Sequence, residues 1–193
     1  MTEDREDMLI NGCIKGDRLA QNMLYEQYCA KMFALCFRYS KNREEAEDTF
    51  HEGFMKVYEH IKSFRKSGSL EGWIRKIMIN TAIEKYRKNP RLFIVQSING
   101  NDAELNQYST DDILSNIEAG ELMKLIHKLP PVCKLVFNLY EFEGLKHKEI
   151  AEKLGISEGT SRSNLHDARR ILQRAVYNNN NIPEQIISVN GRG

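Results

Sequence analysis

Apolar positions set the reading of this chain. Leu19, Met23, Leu24, Tyr28, Phe33, Leu35 and Phe37 fall mostly at helical intervals with nothing to break the run, which predicts a long buried helix from Asp17 to Tyr39. Lys41-Asn42 makes a turn. A second helix, from Glu44 to about Lys62, places Ala46, Phe50, Phe54, Val57, Tyr58 and Ile61 inward. After Phe64 the segment RKSGSLEG reads as a polar, glycine-containing loop. A third helix then runs from about Leu70 to Lys88, with Ile74, Ile77, Met78, Ala82, Ile83 and Tyr86 on its buried side. From Leu92 to Met123 there is no Lys or Arg, while Asp102, Glu104, Asp111, Asp112, Glu118 and Glu121 stand among Asn, Ser and Gly; this is an acidic linker. Helical pattern resumes around Ile113 to Lys128, Pro130-Pro131 punctuates it, and Val132 to Phe142 forms another apolar helix.

The stretch KHKEIAEKLGISEGTSRSNLHDARRILQR, Lys146 to Arg174, reads as two helices meeting at a tight turn. Ile150 and Leu154 lie on one face of the first, with small Ala151 between them where a second helix can approach. Gly155 ends that helix, since glycine takes the left-handed conformation without a Cβ clash. Ile156 returns to the core, and Ser157 caps the second helix with Glu158 at its positive end. Leu165, Ala168 and Leu172 form the buried stripe of the second helix, leaving Ser161, Arg162, Ser163, His166, Arg169 and Arg170 on its outer faces. Such a helix-turn-helix suits a major groove, because arginine can bond guanine edges or phosphates and serine can bond either. A solvated basic helix in an ordinary bundle is the plainer alternative.

The predicted fold is therefore all-α, with two small helical domains. Residues 1–90 make the first, 91–114 the acidic linker, 115–177 the second domain, and 178–193 a mobile tail with an Asn run and a proline. A length of 193 residues and a hydrophobic fraction of 41% support folded cores. Cys13, Cys29, Cys36 and Cys133 show no paired spacing, so neither a disulfide framework nor a zinc site is expected. The acidic start MTEDREDMLING has no apolar signal core and no stretch approaches the length of a membrane span, which predicts a cytoplasmic protein without membrane insertion.

A net charge of +1 argues against nucleic acid only as an average, because the charges come in blocks. On the second helix Glu44, Glu45, Glu47, Asp48, Glu52 and Glu59 make one face acidic, with His51 at its centre. Taken alone, such a face is most simply solvated surface. The third helix is basic on its outer side through Arg75, Lys76, Lys85, Arg87 and Lys88, with Phe64 and Trp73 beside the loop. Cations next to aromatic rings suit single-stranded DNA, whose phosphates need positive charge and whose unpaired bases need flat surfaces. Trp73 as a core anchor is the alternative.

The arrangement resembles a known family. EEAEDTFHEGFMKVYEHI in the first half of the chain and LPPVCKLVFNLYEFEGLKHKEIAEKLGISEGTSRSNLHDAR in the other half are similar to the motifs of a bacterial RNA polymerase sigma factor of the extracytoplasmic-function type, over about residues 17 to 177. The resemblance implies that Asp48, His51 and Glu52 contact the clamp helices of the polymerase β′ subunit, although glutamine is more usual at the place of His51. It implies that the loop Ser63 to Glu71 receives a base flipped from the minus 10 element, with Phe64, Arg65, Ser67, Ser69, Trp73, Arg75, Lys76 and Asn80 serving strand binding and melting. Trp73 matches one of an aromatic pair that wedges duplex DNA open in housekeeping members; the partner position here is Gly72. Arg162, Ser163, Asn164, His166 and Arg169, with Arg170 beside them, fall where the family reads the minus 35 duplex. Lys146 occupies a place where a capping Ser or Thr is common.

The implied partners are core RNA polymerase, through its β′ clamp helices and β flap, promoter DNA and an anti-sigma factor. No cofactor or metal is expected. The implied function is promoter-specific transcription initiation, of a stress or envelope-signal regulon, with no catalysis of its own. No nucleophile with a base and no phosphate-cradling glycine loop stands in the sequence. Two other readings stay open: a helix-turn-helix regulator that acts without polymerase docking, and a helical interaction protein whose basic helices are surface.

Overall fold

The computed structural model describes residues 2–88 and 119–179. The expected linker lies outside the described residues, as does the tail from residue 180. The chain divides into two compact units, Met1–Pro90 and Arg91–Gly193. Among the described residues every regular element is helical.

The first unit begins with a helix that periodicity did not predict, α1 (Thr2–Ile14), which buries Leu9, Ile10 and Cys13. It packs on α2 (Arg18–Tyr39) so closely that a Cβ at Gly12 would stand 2.5 Å from that of Ala20. Asp17 caps α2 by accepting the Leu19 N–H at 2.9 Å, and Asn42 caps α3 (Arg43–His60) by accepting the Glu45 N–H at 2.9 Å. The 3-10 turn Ile61–Ser63 leads from α3 into the loop before α4 (Leu70–Arg87). α2, α3 and α4 pack on one another around Leu24, Phe50, Phe54, Val57, Ile74 and Met78. Phe50 and Phe54 meet Tyr25 at centroid distances of 5.6 and 5.0 Å, and Phe33 joins Phe50 at 5.8 Å. At Gly53 a Cβ would lie 2.3 Å from the Met78 sulfur, so the Met78 side chain fills the space that the glycine leaves between α3 and α4.

Periodicity overstated the burial of two α2 residues: Leu19 is 73% and Met23 47% exposed. Cys36 is buried, and burial pushes its thiol up to about 12; Cys29 is only half-buried.

The second unit comprises α5 (Ala119–His127), α6 (Pro131–Phe137), α7 (His147–Leu154) and α8 (Glu158–Asn179). The apolar helix expected to run from Val132 to Phe142 changes pitch at Asn138. Residues Asn138–Phe142 form a π turn, with the Glu143 N–H reaching the Asn138 carbonyl at 3.3 Å. Between α7 and α8, Gly155 takes φ 70°, as the turn requires. Lys146 has no acceptor with which to cap α7, and Glu149 compensates by accepting the Lys146 N–H at 2.8 Å. Ser157 caps α8 through the Thr160 N–H at 3.0 Å. Leu165, Ala168 and Leu172 face Ile150, Leu154 and Phe137 in the core. α8 continues through Asn179, so the first two residues of the expected tail are helical.

Candidate nucleic-acid interface

At the end of α3 the chain leaves the core, and Arg65 to Ser69 are all exposed. Ser69 restarts the helix by accepting the Gly72 N–H at 3.1 Å. Between these points lies a cavity of about 270 Å3 whose lining includes Phe64, Arg65, Ser67, Ser69, Trp73 and Lys76. Pockets for drug-sized ligands span roughly 300–1,000 Å3, so this space lies just below the small end of that range. Phe64 and Trp73 are half-buried, with ring centroids 5.6 Å apart and the rings tilted at 51° to each other. Gly72 also lines the space and leaves it open. Of the predicted strand residues, Arg75 and Asn80 lie farther along α4, outside this lining.

The acidic face of α3 divides into free and paired carboxylates. Asp48 and His51 are exposed, and the His51 ring sits edge-on to Phe50 at 5.5 Å. Glu52 is half-buried and pairs with Lys56 at 3.0 Å and Lys85 at 3.7 Å. Lys56 also bonds Glu84 at 2.7 Å, which ties α3 to α4. Burial opposes the charge on Glu52, but the Lys56 hydrogen bond and the charges of Lys56, Lys85 and Lys88 outweigh it and hold the carboxyl below its ordinary pKa. Only the Glu52–Lys56 pair, one turn apart on α3, is marked locally in the sequence; Lys56 and Glu84 stand 28 residues apart.

On α8, Arg162, Ser163 and His166 are exposed and share one face. Arg162 bonds Glu158 one turn back at 3.0 Å, and Ser163 donates to the Thr160 carbonyl at 3.1 Å. Two predictions need correction. Asn164, expected to read DNA, is 6% exposed: its amide donates to the Thr160 carbonyl at 2.8 Å and its oxygen accepts the Cys133 S–H at 3.3 Å. Ser161, expected on the outer face, is fully buried, with its hydroxyl 2.9 Å from His147 Nδ1. Both follow from helical geometry, since residue 161 lies one turn from Leu165 and residue 164 one turn from Ala168 on the core stripe.

Arg169 and Arg170 are half-buried and already partnered. Arg170 bonds Asp167 at 3.0 Å. Arg169 gives two N–H groups to Glu141, at 2.7 and 3.1 Å, and lies 5.5 Å from the Tyr140 ring centre. Tyr140 and Glu141 sit in the π turn, whose change of pitch aims them at α8; Tyr140 also stacks on His147 at 4.9 Å. Tyr140, Glu141 and His147 were not predicted as site residues, since their roles depend on contacts distant in sequence. Among the described residues no group of His, Cys, Asp and Glu could hold a metal, and no helix is long and apolar enough to cross a membrane.

Residues 24–92 match the family model of Sigma-70 region 2, and residues 119–172 match that of Sigma-70, region 4. An RNA polymerase sigma-H factor of Pseudomonas aeruginosa is 28% identical over 187 residues, covering 91% of this chain and 96% of that protein. An ECF RNA polymerase sigma-E factor of Haemophilus influenzae is 30% identical over 186 residues, covering 91% and 98%. Among solved structures, the sigma factor RpoE in complex with the anti-sigma factor NepR from Bartonella quintana matches at a TM-score of 0.48 and 20% identity, covering 79% of this chain and 94% of that one.

Proposed function

The chain belongs to the sigma-70 family, among its extracytoplasmic-function members, and from that membership we propose how its residues divide the work of initiation. It is an initiation factor without catalysis of its own: it binds core RNA polymerase and promoter DNA and directs where transcription starts. Residues 1–90 dock on the polymerase and receive the opened minus 10 strand, residues 91–114 connect, and residues 115–177 read the minus 35 duplex. Asp48 and His51 on α3 are the outward docking contacts toward the β′ clamp helices. Glu52 braces α3 against α4 beside them. Phe64 and Trp73 offer their ring faces to an unpaired base, Ser67 and Ser69 offer hydroxyls, and Arg65 and Lys76 attract the backbone. Arg162, Ser163 and His166 face the major groove, while Arg169 and Arg170 lie toward its phosphates.

The observation that carries this reading is the ring-lined cavity on the same small unit as an acidic helical face. A repressor that binds only duplex DNA needs neither. The site of action is cytoplasmic, with polymerase, and we extend to this chain the anti-sigma partner that the family resemblance implies. Mixing the purified protein with core polymerase and mapping transcript starts across the genome tests the reading. New starts that share a two-part promoter support it; binding to DNA without new starts favours a regulator that works apart from polymerase.

A further inference from the structure

α1 precedes the residues that the region 2 model matches, yet it reaches the strand-receiving loop. It packs on the 3-10 turn Ile61–Ser63 that leads into the loop, and Asp7 on α1 forms an ion pair with Lys66 in the loop itself. Lys66 has φ 55° and is the one non-glycine residue with positive φ among the described residues. A side chain there crowds its own backbone, so the conformation lasts only where the surroundings hold it. Its neighbours Arg65 and Ser67 both line the cavity, and a change of φ at residue 66 would turn one against the other. On the other side of the loop, Lys31 of α2 bonds Glu71 in the first turn of α4 at 2.8 Å.

We propose that Asp7 is a positioning residue for the minus 10 strand: by holding Lys66 in its left-handed conformation, it keeps the cavity in the shape that admits an unpaired base. This inference rests on the reading of the loop as the strand site. The ion pair itself is exposed, at 57% for Lys66 and 40% for Asp7, so it adds little to the stability of the unit. Asp7 need not touch DNA, and its negative charge makes a phosphate contact unfavourable.

The test uses the full-length chain assembled with core polymerase. The probes are fork DNAs whose single-stranded minus 10 segment carries, at each position in turn, either its base or an abasic site. The readout is the ratio of the two affinities at the position where the wild type prefers the base most. Asp7→Ala should lower that ratio at least threefold and leave binding to a minus 35 duplex unchanged. Adding Lys66→Gly should restore the ratio, because glycine takes positive φ without a Cβ penalty. Loss of a lysine–phosphate contact would lower both affinities together and leave their ratio alone. An unchanged ratio in Asp7→Ala overturns the proposal, and so does a lowered ratio that Lys66→Gly fails to restore. A wild-type protein indifferent to the base at every position removes the strand reading, and the proposal with it.

Discussion

Under the proposed division of roles, the loop before α4 and the exposed face of α8 meet nucleic acid in opposite ways. The loop presents a space: a cavity of about 270 Å3 and two half-buried rings. The helix presents side chains whose hydrogen bonds are largely taken, with Arg162 on Glu158, Arg169 on Glu141, Arg170 on Asp167 and Asn164 inside. A base entering the cavity gains stacking without displacing a partner. Duplex DNA must instead compete for arginines that are already paired. The first arrangement selects by shape and suits a strand opened by other means, whereas the second keeps its arginines in register but makes each contact an exchange.

The largest effect expected separates the two readers by removing docking. Asp48→Lys puts a cation on the exposed acidic face and should abolish binding to core polymerase, since like charges brought together at an interface cost several kcal/mol, on the order of 3 or more. Strand opening would vanish, while binding of the minus 35 duplex by the isolated protein would persist. Glu52→Lys should behave differently. It places a third cation beside Lys56 and Lys85, so it should lower the melting temperature of the first unit as well as docking. Equal melting temperatures for the two variants would show that the Glu52 network holds nothing together.

Next comes the cavity. Replacing both Phe64 and Trp73 with alanine should weaken single-strand retention by ~1–3 kcal/mol per stacked base and leave duplex affinity alone. Fork-DNA and duplex titrations of the same preparation check this, and a parallel fall in both would erase the division between readers. Arg162→Ala should cost ~1–3 kcal/mol with relaxed preference at one minus 35 position if it bonds a base, or weaken all sequences alike if it bonds a phosphate. Giving up Glu158 offsets only about 0.2–0.5 kcal/mol of that contact, the usual worth of an exposed pair one turn apart. Asn164→Ala serves as the contrast. It should destabilise the second unit by ~1–3 kcal/mol, because buried groups lose their partners, with no change in sequence preference.

Much of this division was legible in the sequence because its signals are local. Asp17, Asn42 and Ser157 announce helix starts, Gly155 announces the turn, and the ring pair beside a glycine-containing loop announces the cavity that it lines. α1 was not legible: its buried stripe is only Leu9, Ile10 and Cys13, interrupted by acid and amide residues too polar to show a period. Ser161 and Asn164 were misplaced for a different reason. Their positions fit the core stripe, but hydroxyl and amide groups suggest water until their partners are known. Those partners, His147 and Cys133, lie 14 and 31 residues away. The bracing of Glu52 by Lys85 and of Arg169 by Glu141 is hidden in the same way, since charge pairing between helices follows from the fold and has no spacing of its own.

The smallest effect expected concerns His147, which joins the two helices of the duplex reader. Burial lowers its pKa below the ordinary 6.5, and the charge of Arg162 lowers it further; Glu158 opposes and Arg169 adds to the lowering. A histidine whose folded pKa is depressed prefers to be neutral in the native state, so its contribution to stability is complete above about 6.5 and is lost as pH falls toward the folded value. Protonation need not break the bond to Ser161, because a hydroxyl can donate to the ring nitrogen or accept from it. The cost comes from a cation placed beside Arg162 and Arg169, with Glu158 opposing them. Under the proposed role of α8, DNA phosphates would reverse that balance by adding negative charge on the same side. The expected outcome is that the melting temperature of the wild type falls faster than that of His147→Gln between pH 7 and 5.5, and that bound minus 35 duplex narrows the gap. Thermal unfolding of both proteins, with and without duplex, measures it. Parallel pH profiles for the two free proteins would place the sensitivity elsewhere, and a gap that duplex does not narrow would put His147 beyond the reach of the phosphates.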